Sequence, residues 1–280
     1  LAQPLSVFLA TQGFGDTFRD WYLLPMLGCI WSCPTDQMLQ FPVATMIRFC
    51  HNHGLIQVNN RPQWHTVAGG ARHYVEKIVA QIADKRLNTP VQRIERDTHG
   101  VTLHTTTGAE RFDHVILATH ADQSLAMLAV PSADEQSTLG AVRYHPNRAV
   151  LHTDASVMPT QKLAWAAWNY ERAAHDSTES TRVCLHYWLN QLQPLPFTQD
   201  VFVSLNPVQA IDPAHVIGAY DYAHPVFDLP AIQAQSHMPR LQGQQRTWYA
   251  GAWMGYGFHE DGFKAGRDAA QTLLAAHTTP

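Results

Sequence analysis

The end of the chain combines three features that restrict its fold: a short apolar strand, a glycine-rich turn and a helix of small residues. The strand is predicted in RTWYAGA, residues 246–252, and the stretch from 251 to 270 reads GAWMGYGFHEDGFKAGRDAA. Small residues recur in the helix at Ala265, Gly266 and Ala269, and they allow close packing on a sheet. The pattern therefore predicts a strand–turn–helix unit of an α/β protein.

The glycine-rich turn has two explanations. A turn of this kind before a helix often brings backbone N–H groups close to a ligand. Alternatively, Glu260 or Asp261 caps the helix and satisfies the same N–H groups. Both explanations stay open at this point.

A second buried strand is predicted at HVILAT, residues 114–119, because a continuous apolar run is typical of a strand covered on both faces. Both predicted strands have glycine or alanine near their ends. Ligands of α/β sheets bind beyond the carboxyl ends of such strands. The two strand ends are therefore the expected ligand-binding edge.

Periodicity divides the chain into four segments. Residues 1–60 are predicted to be mostly helical, and residues 121–240 to mix strands and loops. Between them, residues 71–82 have an apolar helical face, Val91 to Arg96 and residues 101–107 alternate as strands, and turns are predicted at Gly100 and Gly108. Residues 241–280 close the chain.

Composition excludes several classes of partner. The 280 residues carry a net charge of -4, so no basic surface for nucleic acid is expected. The longest apolar run, residues 21–31, contains Pro25 and is too short to cross a bilayer, which leaves only peripheral membrane contact open. Four cysteines without a CxxC pair are typical of reduced thiols and predict a cytoplasmic protein.

The 17 histidines raise the question of a metal. A metal site needs ligands at regular spacing, and the chain has no HExxH motif. One candidate zinc set lies in an apolar segment, and its members are Cys29, Cys33, Cys50, His51 and His53. Their spacing is irregular and free cysteine is commonly buried, so we expect no metal. A G-x-S-x-G elbow for a serine hydrolase is also absent from the sequence.

Four stretches resemble flavin-dependent amine oxidoreductases, and within them the bacterial group described as predicted NAD/FAD-binding proteins. The matching stretches are YLLPMLGCIWS, FCHNHGL, TVAGGARHYVEKI and GAWMGYGFHEDGFKAG, and the resemblance covers nearly the whole chain. It implies a Rossmann-like FAD-binding domain, made of residues 61–120 and 241–280, interleaved with an α+β substrate domain, made of residues 1–60 and 121–240. FAD is expected to be bound non-covalently, because no cysteine follows Cys184 to link it in the final motif.

The resemblance also implies roles for individual residues. The strand beginning at Val91 would contact the adenine end of FAD through its backbone, and Ala118 and Thr119 would lie near the pyrophosphate. The terminal stretch would follow the ribityl chain and the pyrimidine edge of the flavin. Its implied contacts are Gly251, Ala252, His259, Glu260, Asp261 and Gly262.

The catalytic residues are not assigned by the sequence. Lys162 is a candidate for a lysine near the flavin, although a solvated surface lysine is the simpler interpretation. Aromatic candidates for contacting an amine substrate are Trp165, Trp168, Tyr170, Trp253 and Tyr256, which core packing explains equally well.

The dinucleotide fingerprint G-x-G-x-x-G is missing from the sequence. Gly13-Phe-Gly15 lacks the third glycine, and Gly255-Tyr-Gly257 leads to Glu260 where a glycine is required. Because the chain also begins with Leu1, we expect it to be the later part of a longer protein that includes the first βαβ unit. Residues 1–280 alone are then expected to bind FAD weakly or to aggregate.

The sequence therefore predicts an FAD-dependent oxidoreductase that transfers hydride to flavin from an amine or a lipid acyl substrate. Two alternatives remain. One is a binding or scaffold protein that kept the fold without flavin, and the other, less favoured, is a zinc hydrolase.

Overall fold

The computed structural model describes residues 3–171 and 184–278, which form a mixed α/β protein. The α-helices are α1 Leu5–Thr11, α2 Asp16–Phe18, α3 Leu24–Trp31, α4 Thr35–Met38, α5 Val43–Asn52, α6 Arg72–Ala80, α7 Ala121–Met127, α8 Ala133–Leu139, α9 Leu189–Leu192, α10 Leu229–Leu241 and α11 His259–Thr278. The strands are β1 Val91–Arg96, β2 Val101–Thr105, β3 Gly108–Phe112, β4 Val115–Leu117, β5 Tyr144–His152, β6 Trp168–Glu171, β7 Cys184–Trp188, β8 Phe202–Leu205, β9 Val216–Pro225 and β10 Thr247–Tyr249.

The chain divides into two compact units, and each is built from two segments. Unit 1 consists of Leu1–Lys85 and His145–His224, and unit 2 of Arg86–Tyr144 and Pro225–Pro280. The borders of these units fall at residues 85, 144 and 224. The assignment of segments 1–60, 61–120, 121–240 and 241–280 to a substrate and a cofactor domain stays a prediction.

Unit 1 combines the N-terminal helices with a five-stranded sheet in the order β6-β7-β8-β5-β9. One face of this sheet buries Leu185, Ala149 and Leu205 against Cys29 of α3. Because side chains alternate along a strand, neighbouring residues such as His186 and Ser204 lie on the opposite face. The sheet therefore has one apolar and one polar side, and both are buried at these positions.

Unit 2 contains two small sheets that share one core. The antiparallel strands β1, β2 and β3 form the first, and β4 pairs in parallel with β10 in the second. The core includes Ile94 of β1, Leu117 of β4, Met238 of α10 and Tyr249 of β10. Helix α11 packs against β10 through Ala265 and Ala269, as its small residues predict.

Three expectations about unit 2 were wrong in detail. The turn at Gly108 does not lead directly to the strand at 115, because Gly108–Phe112 first pairs with β2 as a further strand. Strand β4 is not buried on both faces, since Ile116 is 37 % exposed. In the described sheet, β4 pairs with β10 alone. The segment 121–240 was expected to mix strands and loops, but its parts in unit 2 form the helices α7, α8 and α10. Pro230, near the start of α10, suits a first helical turn.

Helix α6 forms where the sequence predicts it, but its apolar side is not covered by the described residues. Val75 and Ile78 are 45 % and 52 % exposed, and Ile82, which was predicted to belong to the helix but lies beyond its end, is 48 % exposed. The 3.6-residue period thus predicted the helix correctly, whereas burial depends on neighbours that the period does not specify.

None of the helices within the described parts of the chain has both the length and the apolar character needed to cross a bilayer.

Candidate functional site

The parallel strands β4 and β10 bring two turns of unit 2 together at their carboxyl ends. Leu117 lies opposite Tyr249, and the N–H of Ala250 donates to the Leu117 carbonyl oxygen at 2.9 Å. Beyond this point the indole N–H of Trp253 donates to the carbonyl oxygen of Thr119 at 3.2 Å. The strand-end residues predicted from sequence, Ala118 and Thr119 on one side and Gly251 and Ala252 on the other, therefore flank one edge.

Packing within the chain accounts for two glycines of the turn. A Cβ on Gly251 would lie 2.4 Å from Nε1 of Trp253, and a Cβ on Gly255 would lie 2.4 Å from Oδ1 of Asp261. Gly257 has a φ of +95°, a conformation that other residues rarely adopt. The turn is further held by the side chain of Gln235, which donates to the carbonyl oxygens of Trp253 and Gly255 at 2.9 and 2.7 Å.

The acidic pair at the start of α11 acts within the helix. The Oδ2 atom of Asp261 accepts a hydrogen bond from the N–H of Phe258 at 3.0 Å, so Asp261 caps the helix. Glu260 forms an exposed ion pair with Lys264 one turn later, at 3.2 Å. Capping therefore explains Asp261, and it leaves the positive end of the helix dipole at the turn.

Gly262 differs from the glycines of the turn, because the chain itself does not require it. A Cβ on Gly262 would lie 3.7 Å from the N atom of Ala252, an ordinary contact distance. Gly266, one turn later, has no atom within 4 Å of such a Cβ. The absence of a side chain at 262 keeps the backbone of the first turn accessible next to Ala252.

These features fit a flavin nucleotide. The residues implied by the resemblance are all at least partly exposed, and they present backbone groups at strand ends and at a helix start. Eight of them gather around the β4 and β10 ends and the first turn of α11, namely Ala118, Thr119, Gly251, Ala252, His259, Glu260, Asp261 and Gly262. Val91 begins β1 in the other sheet and packs on the same core as Leu117 and Trp253.

Sequence reasoning missed the glutamine that closes the free edge of β10. The side chain of Gln242 donates to the carbonyl oxygen of Tyr249 and accepts from its N–H, both at 2.8 Å. It thereby replaces one neighbouring strand at this residue. No pattern in the sequence indicates such a role for a glutamine at the end of α10.

A buried ion pair beneath the same strand was also missed. The guanidinium of Arg96 lies 2.9 Å from Oε2 of Glu135, and the hydroxyl of Tyr249 donates to Oε1 of Glu135 at 2.6 Å. The charged side chains are 3 % and 2 % exposed. Burial opposes ionisation of Glu135, but hydrogen bonds from Arg96, Tyr249 and the Ser132 N–H outweigh it and lower its pKa to about 2.

The same balance affects Tyr249, since burial and the neighbouring Glu135 carboxylate raise the pKa of its hydroxyl. The network therefore holds Glu135 ionised and Tyr249 protonated at neutral pH. Its part in the site is to fix β10, whose end carries Gly251 and Ala252.

Packing largely explains the positions of the cysteines and histidines that the sequence offered as candidate zinc ligands. All four cysteines are buried thiols. Cys29 lies in the apolar core of unit 1, where burial raises the pKa of its thiol to about 12. His53 instead stacks on Phe49, with ring centroids 4.0 Å apart, and its Nδ1 contacts the Phe49 carbonyl oxygen.

The candidates for contacting substrate also have partners in the chain. Lys162 pairs with Asp200 at 2.9 Å and lies over the ring of Trp165, at 4.8 Å from its centroid. Trp253 is only 4 % exposed and belongs to the core of unit 2. Neither observation assigns a catalytic residue.

Several solved structures share this fold at low sequence identity. The CLA-producing fatty acid isomerase from P. acnes is 17 % identical with a TM-score of 0.67, and the match covers 97 % of this chain and 66 % of that one. Cyclohexylamine oxidase from Brevibacterium oxydans IH-35A is 12 % identical with a TM-score of 0.62, covering 98 % and 68 %. A reduced UDP-galactopyranose mutase is 14 % identical with a TM-score of 0.61, covering 99 % and 69 %.

The chain thus spans about two thirds of the length of the solved structures that it matches. No curated protein sequence matches it significantly. The model of the flavin containing amine oxidoreductase family matches residues 44–274, which is most of the chain and includes residues of both units. Together with the shared fold, this match confirms the resemblance seen in the sequence: the chain belongs to the flavin containing amine oxidoreductase family.

Proposed function

We propose that the protein is an FAD-dependent oxidoreductase that binds FAD non-covalently and transfers hydride to it from an apolar substrate. The observation that carries this proposal is the convergence of the β4 end, the β10 end and the start of α11 around small, accessible residues. FAD, when bound, supplies the hydride acceptor. Family membership supports a flavin, and the described site supports its position.

The residues of this site would act mainly through their backbone. Gly251, Ala252 and Gly262 carry little or no side chain, so a flat ring system can approach the N–H groups near them. The first-turn N–H groups and the helix dipole favour negative charge at this position. Such donors stabilise the electron-rich form of a bound ring, which is the contribution of this chain to the reaction.

The substrate class is supported by a groove in unit 1. This groove has a volume of about 440 Å³ and lies among the first helices and the loop that follows α5. Its lining includes Phe14, Phe18, Met26, Met46 and Ile47, and among the described lining residues only Arg61 is charged. An apolar groove of this kind suits an acyl chain better than a small polar amine. We therefore propose a lipid acyl substrate, with an amine as the second candidate from the family.

Flavin binding is tested with two glycine variants of the full-length gene product. Gly262→Val should weaken FAD binding at least tenfold, because the side chain would stand where the flavin approaches. Gly266→Val is the matched control in the same helix and should bind FAD normally. FAD affinity is measured by flavin fluorescence, and folding by thermal unfolding. Equal losses in both variants would contradict the placement of the flavin beside Gly262. A colourless wild type that cannot be reconstituted would favour the scaffold alternative.

The substrate class is tested separately with a fluorescent long-chain fatty acid. Ile47→Glu places a charge in the groove, where Ile47 is 50 % exposed, and should weaken fatty acid binding at least tenfold. Ile217→Glu changes a residue of β9 that is 60 % exposed and lies outside the groove, so binding should not change. Identical affinities in the two variants would contradict the acyl proposal, while the flavin result would stand.

A further inference from the structure

The polar side of the five-stranded sheet in unit 1 carries a cluster that the proposed function does not use. Glu171 ends β6 and lies directly opposite Cys184, which begins β7. His186 follows two residues later on the same face of β7. The His186 ring is 1 % exposed, Cys184 is buried, and the Glu171 side chain is 27 % exposed.

Three different donor atoms converge at this point. The Oε2 atom of Glu171 lies 2.9 Å from Nε2 of His186 and 3.2 Å from Sγ of Cys184, and these last two atoms are 3.7 Å apart. Within residues 3–171 and 184–278, this is the one group of three or more histidine, cysteine or acidic side chains whose donor atoms all lie within 4.8 Å of one another.

The distances are close to those of a tetrahedral metal site. Bonds of about 2.0–2.3 Å from zinc to nitrogen, oxygen and sulfur place neighbouring ligand atoms about 3.3–3.8 Å apart. The pair of sulfur and nitrogen already meets this spacing. The carboxylate oxygen has to move outward by only a few tenths of an ångström, and the partial exposure of Glu171 allows this movement.

The surrounding hydrogen bonds determine where the protons of the cluster lie. The N–H of Asp154 donates to Nδ1 of His152 at 3.1 Å, so His152 in its neutral form carries its proton on Nε2. That proton points at the hydroxyl oxygen of Ser204, 2.7 Å away. Ser204 in turn contacts Nδ1 of His186 at 2.6 Å.

Ser204 can therefore serve two arrangements. Without a metal, its hydroxyl donates to Nδ1 of His186, and Nε2–H of His186 donates to Glu171. With a metal, Nδ1–H of His186 donates to Ser204, and Nε2 is left as a ligand. A histidine that binds a metal through one ring nitrogen usually donates its other ring N–H to a nearby acceptor in this way.

We propose that Glu171, Cys184 and His186 form a binding site for a single Zn²⁺ ion. Binding joins zinc to Oε2, Sγ and Nε2. The thiol proton of Cys184 is released to solvent, while the proton of His186 moves from Nε2 to Nδ1. Thiolate, imidazole and carboxylate together favour zinc over magnesium or calcium. Three protein ligands leave a fourth position for water, on the exposed side of Glu171.

The experiment measures zinc binding by the full-length protein after removal of metal with a chelator. Affinity is measured by competition with a chromophoric chelator, since 17 histidines also offer weak surface binding. The test variants are Glu171→Gln and Cys184→Ser. Their matched controls are Glu76→Gln and Cys50→Ser, which change an exposed glutamate and a buried cysteine away from the cluster.

We expect the wild type and both controls to bind one zinc tightly and to release about one proton per ion. Both test variants should bind at least tenfold more weakly, and Cys184→Ser should lose the thiolate-to-metal absorption band of the cobalt-loaded protein. Thermal unfolding identifies variants that fail to fold, and Glu171→Gln, the isosteric change, remains informative in that case. If the wild type bound zinc no more tightly than the Glu171→Gln variant, the proposal would be overturned. The cluster would then be a metal-free hydrogen-bond network.

Discussion

The indole N–H of Trp253 donates to the carbonyl oxygen of Thr119 at 3.2 Å and thereby joins the end of β4 to the turn after β10. The same ring occupies the space where a side chain of residue 251 would lie. Trp253 thus positions both turns of the proposed flavin site. Its ring also explains why residue 251 is a glycine.

Substitution of this glycine should be costly. Gly251→Ala places a Cβ 2.4 Å from Nε1 of Trp253, so either the indole or the turn has to move. We expect a loss of about 1–3 kcal/mol in the free energy of unfolding. Gly266→Ala, with open space around its Cβ in a helix, should instead gain about 0.5–1 kcal/mol. Urea unfolding of both variants measures the difference, and equal stabilities would contradict the proposed packing.

The side chain of Gln242 should stabilise β10 by satisfying its free edge. Gln242→Leu removes both partners of the Tyr249 backbone, and Tyr249 is fully buried. We expect a loss of about 3 kcal/mol, because a buried N–H and a buried carbonyl group are left unsatisfied. Amide hydrogen exchange at Tyr249 should accelerate.

The neighbouring residue Gln244 is exposed and provides the control for this change. Gln244→Leu should alter the free energy of unfolding by no more than about 0.5 kcal/mol. If the two variants were equally stable, solvent or backbone would have to replace the Gln242 side chain.

The buried pair of Arg96 and Glu135 should make the protein sensitive to acid. The pKa of Glu135 falls from an ordinary value of 4.5 to about 2 on folding, so its stabilising contribution is complete above pH 4.5. The contribution is lost as the pH falls from about 4.5 to about 2, and it amounts to about 3 kcal/mol.

Glu135→Gln should lose about 3 kcal/mol at neutral pH, because it leaves the Arg96 guanidinium buried without its carboxylate. Its stability should then decline less between pH 4.5 and 2 than that of the wild type. Denaturant unfolding over this pH range provides the measurement. Parallel pH profiles for the two proteins would show that Glu135 does not titrate as described.

The sequence alone predicted much of the local structure and the class of protein. The small residues of α11 predicted its packing on β10, and the periodic apolar residues of α6 predicted a helix. The motif at residues 251–266 led to the family, and the family is confirmed. The motif could be found in the sequence because glycine turns and short-range spacing involve consecutive residues. The flavin contacts, including Val91, stay predictions.

Only the tertiary structure brings together residues that are distant in sequence. Gln242 meets Tyr249, Arg96 meets Glu135, and Glu171 meets Cys184 through strand pairing and helix packing. The irregular spacing of cysteines and histidines led us to expect no metal, whereas pairing of β6 with β7 assembles a different set of donors. Periodicity reports which face a side chain takes on its own element, and it does not report which element will pack against that face.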